Sequence, residues 1–124
     1  MRRRLLVAAT FGLLFFPALG WSHSALERSE PKSGAVLPVA PNELRIWFTE
    51  PIKVGLSTIE VRDESGRQVD QKSLRADGQE KSLVHLALRQ DLMPGTYRVT
   101  WTAVAQDMHA SKGSFEFKLA PKRD

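Results

Sequence analysis

Past Trp21 the apolar side chains of this chain recur at every second position in short runs, and each run is cut off by proline or glycine. Leu44, Ile46 and Phe48 alternate with Arg45, Trp47 and Thr49, and Ile59 and Val61 with Glu60 and Arg62. Tyr97, Val99, Trp101 and Ala103 alternate with Arg98, Thr100, Thr102 and Val104, while Phe115, Phe117 and Leu119 alternate with Glu116 and Lys118. A period of two sends successive side chains to opposite faces, so each run reads as a strand that buries one face. Ser82 to Leu88 is a further strand-like stretch. Between the runs lie Glu30-Pro31-Lys32-Ser33-Gly34, Asp63-Glu64-Ser65-Gly66, Asp77-Gly78 and Met93-Pro94-Gly95, all with the residue types that make turns. No segment shows an apolar helical stripe. The pattern predicts an all-β domain, a Greek-key sandwich or barrel of about seven strands.

That fold must stand on its core alone, because the chain has no cysteine. Disulfides are excluded, and so are thiolate metal sites. With 124 residues the chain accommodates one such domain. Trp47 and Trp101 sit within strands and read as packing residues; Trp101 shares its phase with Tyr97 and Val99, which predicts a core position. Pro121-Lys122-Arg123-Asp124 reads as a frayed end.

The first residues belong to a different pattern. Met1-Arg2-Arg3-Arg4 is basic, Leu5 to Phe16 is apolar and uncharged, and Ala18, Gly20 and Ser22 supply the small residues of a cleavage region. This predicts a secretory signal peptide over residues 1–22 and a mature domain over 23–124 in the periplasm. The apolar run is shorter than a bilayer span requires, and no later segment is a candidate for direct membrane insertion. The full chain has 18 basic and 14 acidic side chains, and three of the basic ones are Arg2, Arg3 and Arg4. The mature charge is therefore close to neutral, and the remaining basic residues are scattered, which argues against a nucleic-acid partner.

Two places have the chemistry of a metal site. Cleavage after Ser22 would make His23 the N-terminal residue, so that one residue offers both an amine and an imidazole; otherwise His23 is a polar start to the chain. Asp107-Met108-His109 follows the run from Tyr97 to Val104, and an extended chain there would place Asp107 and His109 on one face with Met108 on the other. An Asp-x-His pair is also common in solvated turns, and only a third donor would make it a site. His85 lies within a strand-like run and reads as a sheet-face residue. Glu50 is a candidate to orient an imidazole.

Taken together, the motifs resemble the CopC family of periplasmic copper-resistance proteins. Besides His23, the resemblance rests on Ser29-x-Pro31-x-x-Gly34, Phe48-Thr49-Glu50-Pro51, Pro94-Gly95-Thr96-Tyr97-Arg98-Val99-Thr100-Trp101, Asp107-x-His109 and Gly113-x-Phe115-x-Phe117, in that order. It implies a cupredoxin-like or immunoglobulin-like sandwich holding one Cu(II) ion. The ligands it implies are the amine and imidazole of His23, the imidazole of His109 and the carboxylate of Asp107. Three nitrogens and one oxygen suit tetragonal Cu(II). Their protonation would weaken binding as pH falls through the histidine range.

Some family members have a second, methionine-rich Cu(I) site, whereas residues Asp63 to Leu83 here contain neither Met nor His, and only Met93 and Met108 remain after the signal. A Cu(II)-only form is expected. The resemblance implies no enzyme but a copper carrier or buffer, with a CopD-type inner-membrane transporter as possible recipient and a monomer as the favoured state. Two alternatives stand beside it: a copper-dependent oxidative enzyme built on a histidine brace, and an immunoglobulin-like interaction domain without metal. Cleavage after Gly20 instead would leave Trp21-Ser22-His23, a start that binds Cu(II) through its own amides.

Overall fold

The computed structural model describes residues 25–123. The expected signal peptide, its cleavage point and His23 lie outside the described residues. Eight strands run in the order β1 (Leu26–Glu30), β2 (Val36–Leu37), β3 (Glu43–Phe48), β4 (Thr58–Arg62), β5 (Arg75–Ala76), β6 (Leu83–Ala87), β7 (Gly95–Val104) and β8 (Ala110–Leu119), with one 3-10 turn at Val54–Leu56. They form two four-stranded sheets, ordered β1-β3-β6-β5 and β2-β8-β7-β4. All pairings are antiparallel except the short parallel one between β2 and β8. The all-β sandwich expected from the period-2 runs is the observed architecture. One strand more is present than expected, because β2 and β5 have two residues each and are too short to display alternation.

The core lies where the two inner faces meet. Leu44, Ile46 and Phe48 of β3 and Val84 and Leu86 of β6 face Ile59 and Val61 of β4, Tyr97, Val99 and Ala103 of β7, and Phe115, Phe117 and Leu119 of β8, all buried. Tyr97 stacks on Phe117, its cross-strand partner, with centroids 5.3 Å apart. Its hydroxyl donates to the Met93 carbonyl, tying β7 to the turn before it. Burial pushes the Tyr97 hydroxyl pKa up, and the charge of Asp63 adds to the effect. Trp101, expected in the core from its phase, is only half buried and packs against the core from its margin.

Sheet edges and outer faces are handled by polar contacts. The edge strand β4 has its Val61 N–H satisfied by Oδ1 of Asp70 at 2.8 Å, and Asp70 is itself 6% exposed. On the outer face of the other sheet, Trp47 is buried although it lies out of phase with the core. The Arg28 guanidinium covers its ring at 3.6 Å, and the indole N–H donates to Glu80 Oε2 at 2.9 Å.

Candidate metal centre

β7 and β8 are joined by Ala105 to His109, and the sequence around Asp107 dictates how. Met108 N–H donates to the Ala105 carbonyl at 3.0 Å, and Ala105 N–H donates to the His109 carbonyl at 2.9 Å. Met108 has a φ of +70°, in the left-handed region. This is a three-residue hairpin loop, a type I turn whose last residue turns left-handed so that the strands resume pairing. Asp107 favours it because its short side chain bonds its own backbone: Oδ1 accepts the His109 N–H at 3.1 Å. Of the two geometries the sequence allows here, an extended chain or a turn, the structure has a tight turn. Asp107 and His109 nevertheless converge, with His109 Nδ1 at 3.0 Å from Asp107 Oδ2.

The distance between these two donors fits an ion. Two ligands at right angles around a metal, each bonded at about 2.0–2.2 Å, lie about 2.8–3.1 Å apart. The imidazole nitrogen and the carboxylate oxygen stand at that spacing, 3.0 Å apart. Their side chains are 63% and 40% exposed, so an ion from solvent reaches them without any rearrangement of the core.

The pair lies at the end of the sandwich where β1 begins. Ala25 N–H donates to Thr49 Oγ1 at 3.0 Å, and Thr49 N–H donates to the Ala25 carbonyl at 2.8 Å. Ile52, three residues on, forms an isolated antiparallel bridge with Ala105, and Lys53 N–H donates to the Val104 carbonyl at 2.7 Å. The segment from Thr49 to Lys53 thus links the start of the described chain to the β7–β8 turn. Glu50 stands within that link.

Other candidates fall elsewhere. His85 is 8% exposed on the outer sheet face, with Nδ1 3.2 Å from Glu43 Oε1 and Nε2 2.8 Å from Asp77 Oδ1. The two carboxylates face opposite nitrogens of the ring and so cannot meet at one ion, which agrees with the sheet-face reading. The backbone N–H groups of Glu80 and Gln79, and then His85, hold the Asp77 carboxyl well below the usual carboxylate range. Sequence reasoning did not find this cluster, since its members meet only through strand pairing: β3 against β6 brings Glu43 to His85, and the short β5 against β6 brings Asp77. Met93 and Met108 lie beyond opposite ends of the ten-residue β7, about 30 Å apart at the rise of an extended strand. Among the described residues no group of three or more His, Cys, Asp or Glu is placed to hold a metal ion.

Comparison with known proteins gives a consistent result. The family model described as the CopC domain matches residues 26–120. Copper transport protein CutJ of Bacillus subtilis (strain 168) is 27% identical over 118 residues, which cover 95% of this chain but only 22% of CutJ. Protein YobA of Escherichia coli (strain K12) is 26% identical over 99 residues, 80% of each chain. Copper resistance protein C of Xanthomonas campestris pv. juglandis is 30% identical over 110 residues, 82% of this chain and 84% of that one. Among solved structures, CopC from Methylosinus trichosporium OB3b superposes with a TM-score of 0.75 at 22% identity, covering 82% of this chain and 98% of that one, and shares the fold. PcoC, a methionine-rich copper resistance protein from Escherichia coli, gives 0.67 at 27% identity, over 79% of this chain and 99% of PcoC.

Proposed function

We propose that this chain, which belongs to the CopC family, is a periplasmic carrier or buffer that binds one Cu(II) ion as cargo and catalyses no reaction. The ion is held by the N-terminal amine and imidazole of His23 after removal of residues 1–22, by the His109 imidazole and by the Asp107 carboxylate. The observation that carries this reading is the 3.0 Å pairing of His109 Nδ1 with Asp107 Oδ2 on an exposed turn, at the same end of the sandwich as Ala25. His23 lies two positions before Ala25, a reach of about 7 Å. A third and fourth donor from that segment would complete a set that the described residues supply only in part. Three nitrogens and one carboxylate oxygen match Cu(II), which also heads the divalent affinity order.

Copper as the cargo is further supported by the names of the relatives, copper transport protein CutJ and copper resistance protein C. The absence of methionine between Asp63 and Leu83, and the separation of Met93 from Met108 by the length of β7, favour a Cu(II)-only form. The matched region makes up about a fifth of CutJ, a copper transport protein by name, which supports hand-over to a transport protein, here one of the CopD type.

The test is a competitive Cu(II) titration of protein processed in the periplasm, its N-terminus read by intact mass, alongside His109→Ala. One equivalent bound tightly by a chain starting at His23, and a loss in the variant exceeding the 10–100-fold typical for an orienting partner alone, is the expected result. Equal affinity in the variant would refute the assignment of His109 and Asp107.

A further inference from the structure

The donors proposed for copper come from two different sheets. Asp107 and His109 sit on the turn closing β7 and β8, whereas the N-terminal segment leads into β1 of the opposing sheet. A chelate spanning both requires its ligands to be held within about 0.5 Å of their bonded positions, so the spacing between the sheets at this end decides whether the donors meet. The bridge from Ile52 to Ala105 ties the segment after β3 to the turn, and the Ala25–Thr49 hydrogen bonds tie the start of β1 to that segment, so the separation of the sheets beneath these links is set by the side chains packed between them.

Among the side chains packed between the sheets toward that end, Trp101 is the largest that bears on both. Trp101 lies on the inner face of β7, and its cross-strand partner on β8 is Gly113. A Cβ at Gly113 would stand 2.5 Å from Cζ2, 2.7 Å from Cε2 and 3.0 Å from Nε1 of the indole. The ring therefore lies flat on the glycine backbone, and any other residue at position 113 displaces it. On its other side the ring meets Phe48 edge-on, with centroids 5.6 Å apart and planes at 75°. Phe48 is the last residue of β3 and pairs with Leu26, three residues after His23. A single indole thus spans from the strand that follows His109 to the strand pair that follows His23.

We infer that Trp101 is a positioning residue for the copper site, a spacer that sets the distance between the His109 turn and the N-terminal strand, with Gly113 as its obligatory seat. This rests on the copper site proposed above. Trp101 touches no copper ligand in this account; it acts through Phe48 and β8.

The experiment compares Trp101→Phe, Gly113→Ala, the double variant and His109→Ala, all processed in the periplasm. Each is read by competitive Cu(II) titration, by the EPR spectrum of the Cu(II) form and by thermal melting without metal. Trp101→Phe and Gly113→Ala are expected to remain folded, to bind Cu(II) at least about tenfold more weakly, and to show altered EPR parameters, which mere loss of stability would not produce. The double variant should regain part of the affinity lost in Gly113→Ala, because the shorter phenyl ring leaves room for the added methyl. Should Gly113→Ala fail to fold, Trp101→Phe alone decides. Wild-type affinity and EPR in Trp101→Phe, with binding lost in His109→Ala, would overturn the inference and leave the site intact. Binding retained in His109→Ala would overturn the site itself, and the inference with it.

Discussion

Asp70 gives the sharpest test of how the sandwich is held. It is 6% exposed, and it accepts three hydrogen bonds: Val61 N–H at 2.8 Å on Oδ1, and Gln68 Nε2–H and Lys72 N–H, both at 3.1 Å, on Oδ2. Replacing it with alanine removes the acceptor and leaves the Val61 N–H buried on an edge strand with no partner. A hydrogen bond to a charged group contributes about 1.5–3 kcal/mol, and an orphaned buried donor costs about 1–3 kcal/mol. The two terms overlap, and the bonds to Gln68 and Lys72 are only part-buried, so about 3 kcal/mol is expected for Asp70→Ala. Against a total of about 5–15 kcal/mol, that lowers the melting temperature by about 10–20 °C for a domain of this size. Asp70→Asn keeps an acceptor for Val61 and should lose only about 1 kcal/mol. Urea unfolding of the three proteins measures this directly, with Cu(II) affinity as a control that should not change while each variant is folded. A loss below about 0.5 kcal/mol in Asp70→Ala would refute the claim that this carboxylate holds the β4 edge.

Three further outcomes follow from the same contacts. Met108→Gly removes the strain of a left-handed non-glycine residue at φ +70° and should stabilise the domain by about 0.5 kcal/mol after the entropy of glycine is deducted, with Cu(II) affinity unchanged by titration. Met108→Pro cannot adopt that φ and lacks the N–H donated to Ala105, so it should lose copper as completely as His109→Ala; retained affinity would refute the turn as the device that joins the two ligands. Asp77 has its carboxyl held below the ordinary value of 3.8, so on acidification the unfolded chain takes up the proton first, and the stabilisation is lost as pH falls below that value. Asp77→Asn should therefore be less stable than the parent at neutral pH, with the gap narrowing in acid; a gap independent of pH in urea melts would contradict it.

The strands with two or more inward apolar residues were legible in the sequence, since alternation at Leu44, Ile46 and Phe48 or at Phe115, Phe117 and Leu119 follows directly from the pleat. β2 and β5 were not, because two residues carry no period, and β1 has one buried position, Ser29, which is polar. Trp47 shows where alternation misleads: its outer face is covered by an arginine and a glutamate, a burial that no local pattern encodes. Trp101 shows the converse, correct in phase but near a margin of the core. For the candidate site, Asp107 and His109 are candidates by residue type and order, but the sequence does not decide how the chain brings them together. The sequence leaves open an extended chain or a solvated turn there; the structure has the turn, and the signal for it is local: an Asp able to bond the N–H two residues on. The His85 cluster depends on pairing between strands and lay beyond any local reading.

The central claim is that the amine of His23 is a ligand, and moving that amine tests it most directly. Two proteins would be compared by competitive Cu(II) titration and EPR, one starting at His23 and one retaining Ser22 before it. The account predicts that the added residue carries the amine away from the His109 and Asp107 pair and weakens Cu(II) binding by about a hundredfold or more, with a changed donor set in the EPR spectrum. Equal affinity and an unchanged spectrum in the longer protein would contradict it, and would leave copper without the N-terminal amine as a ligand.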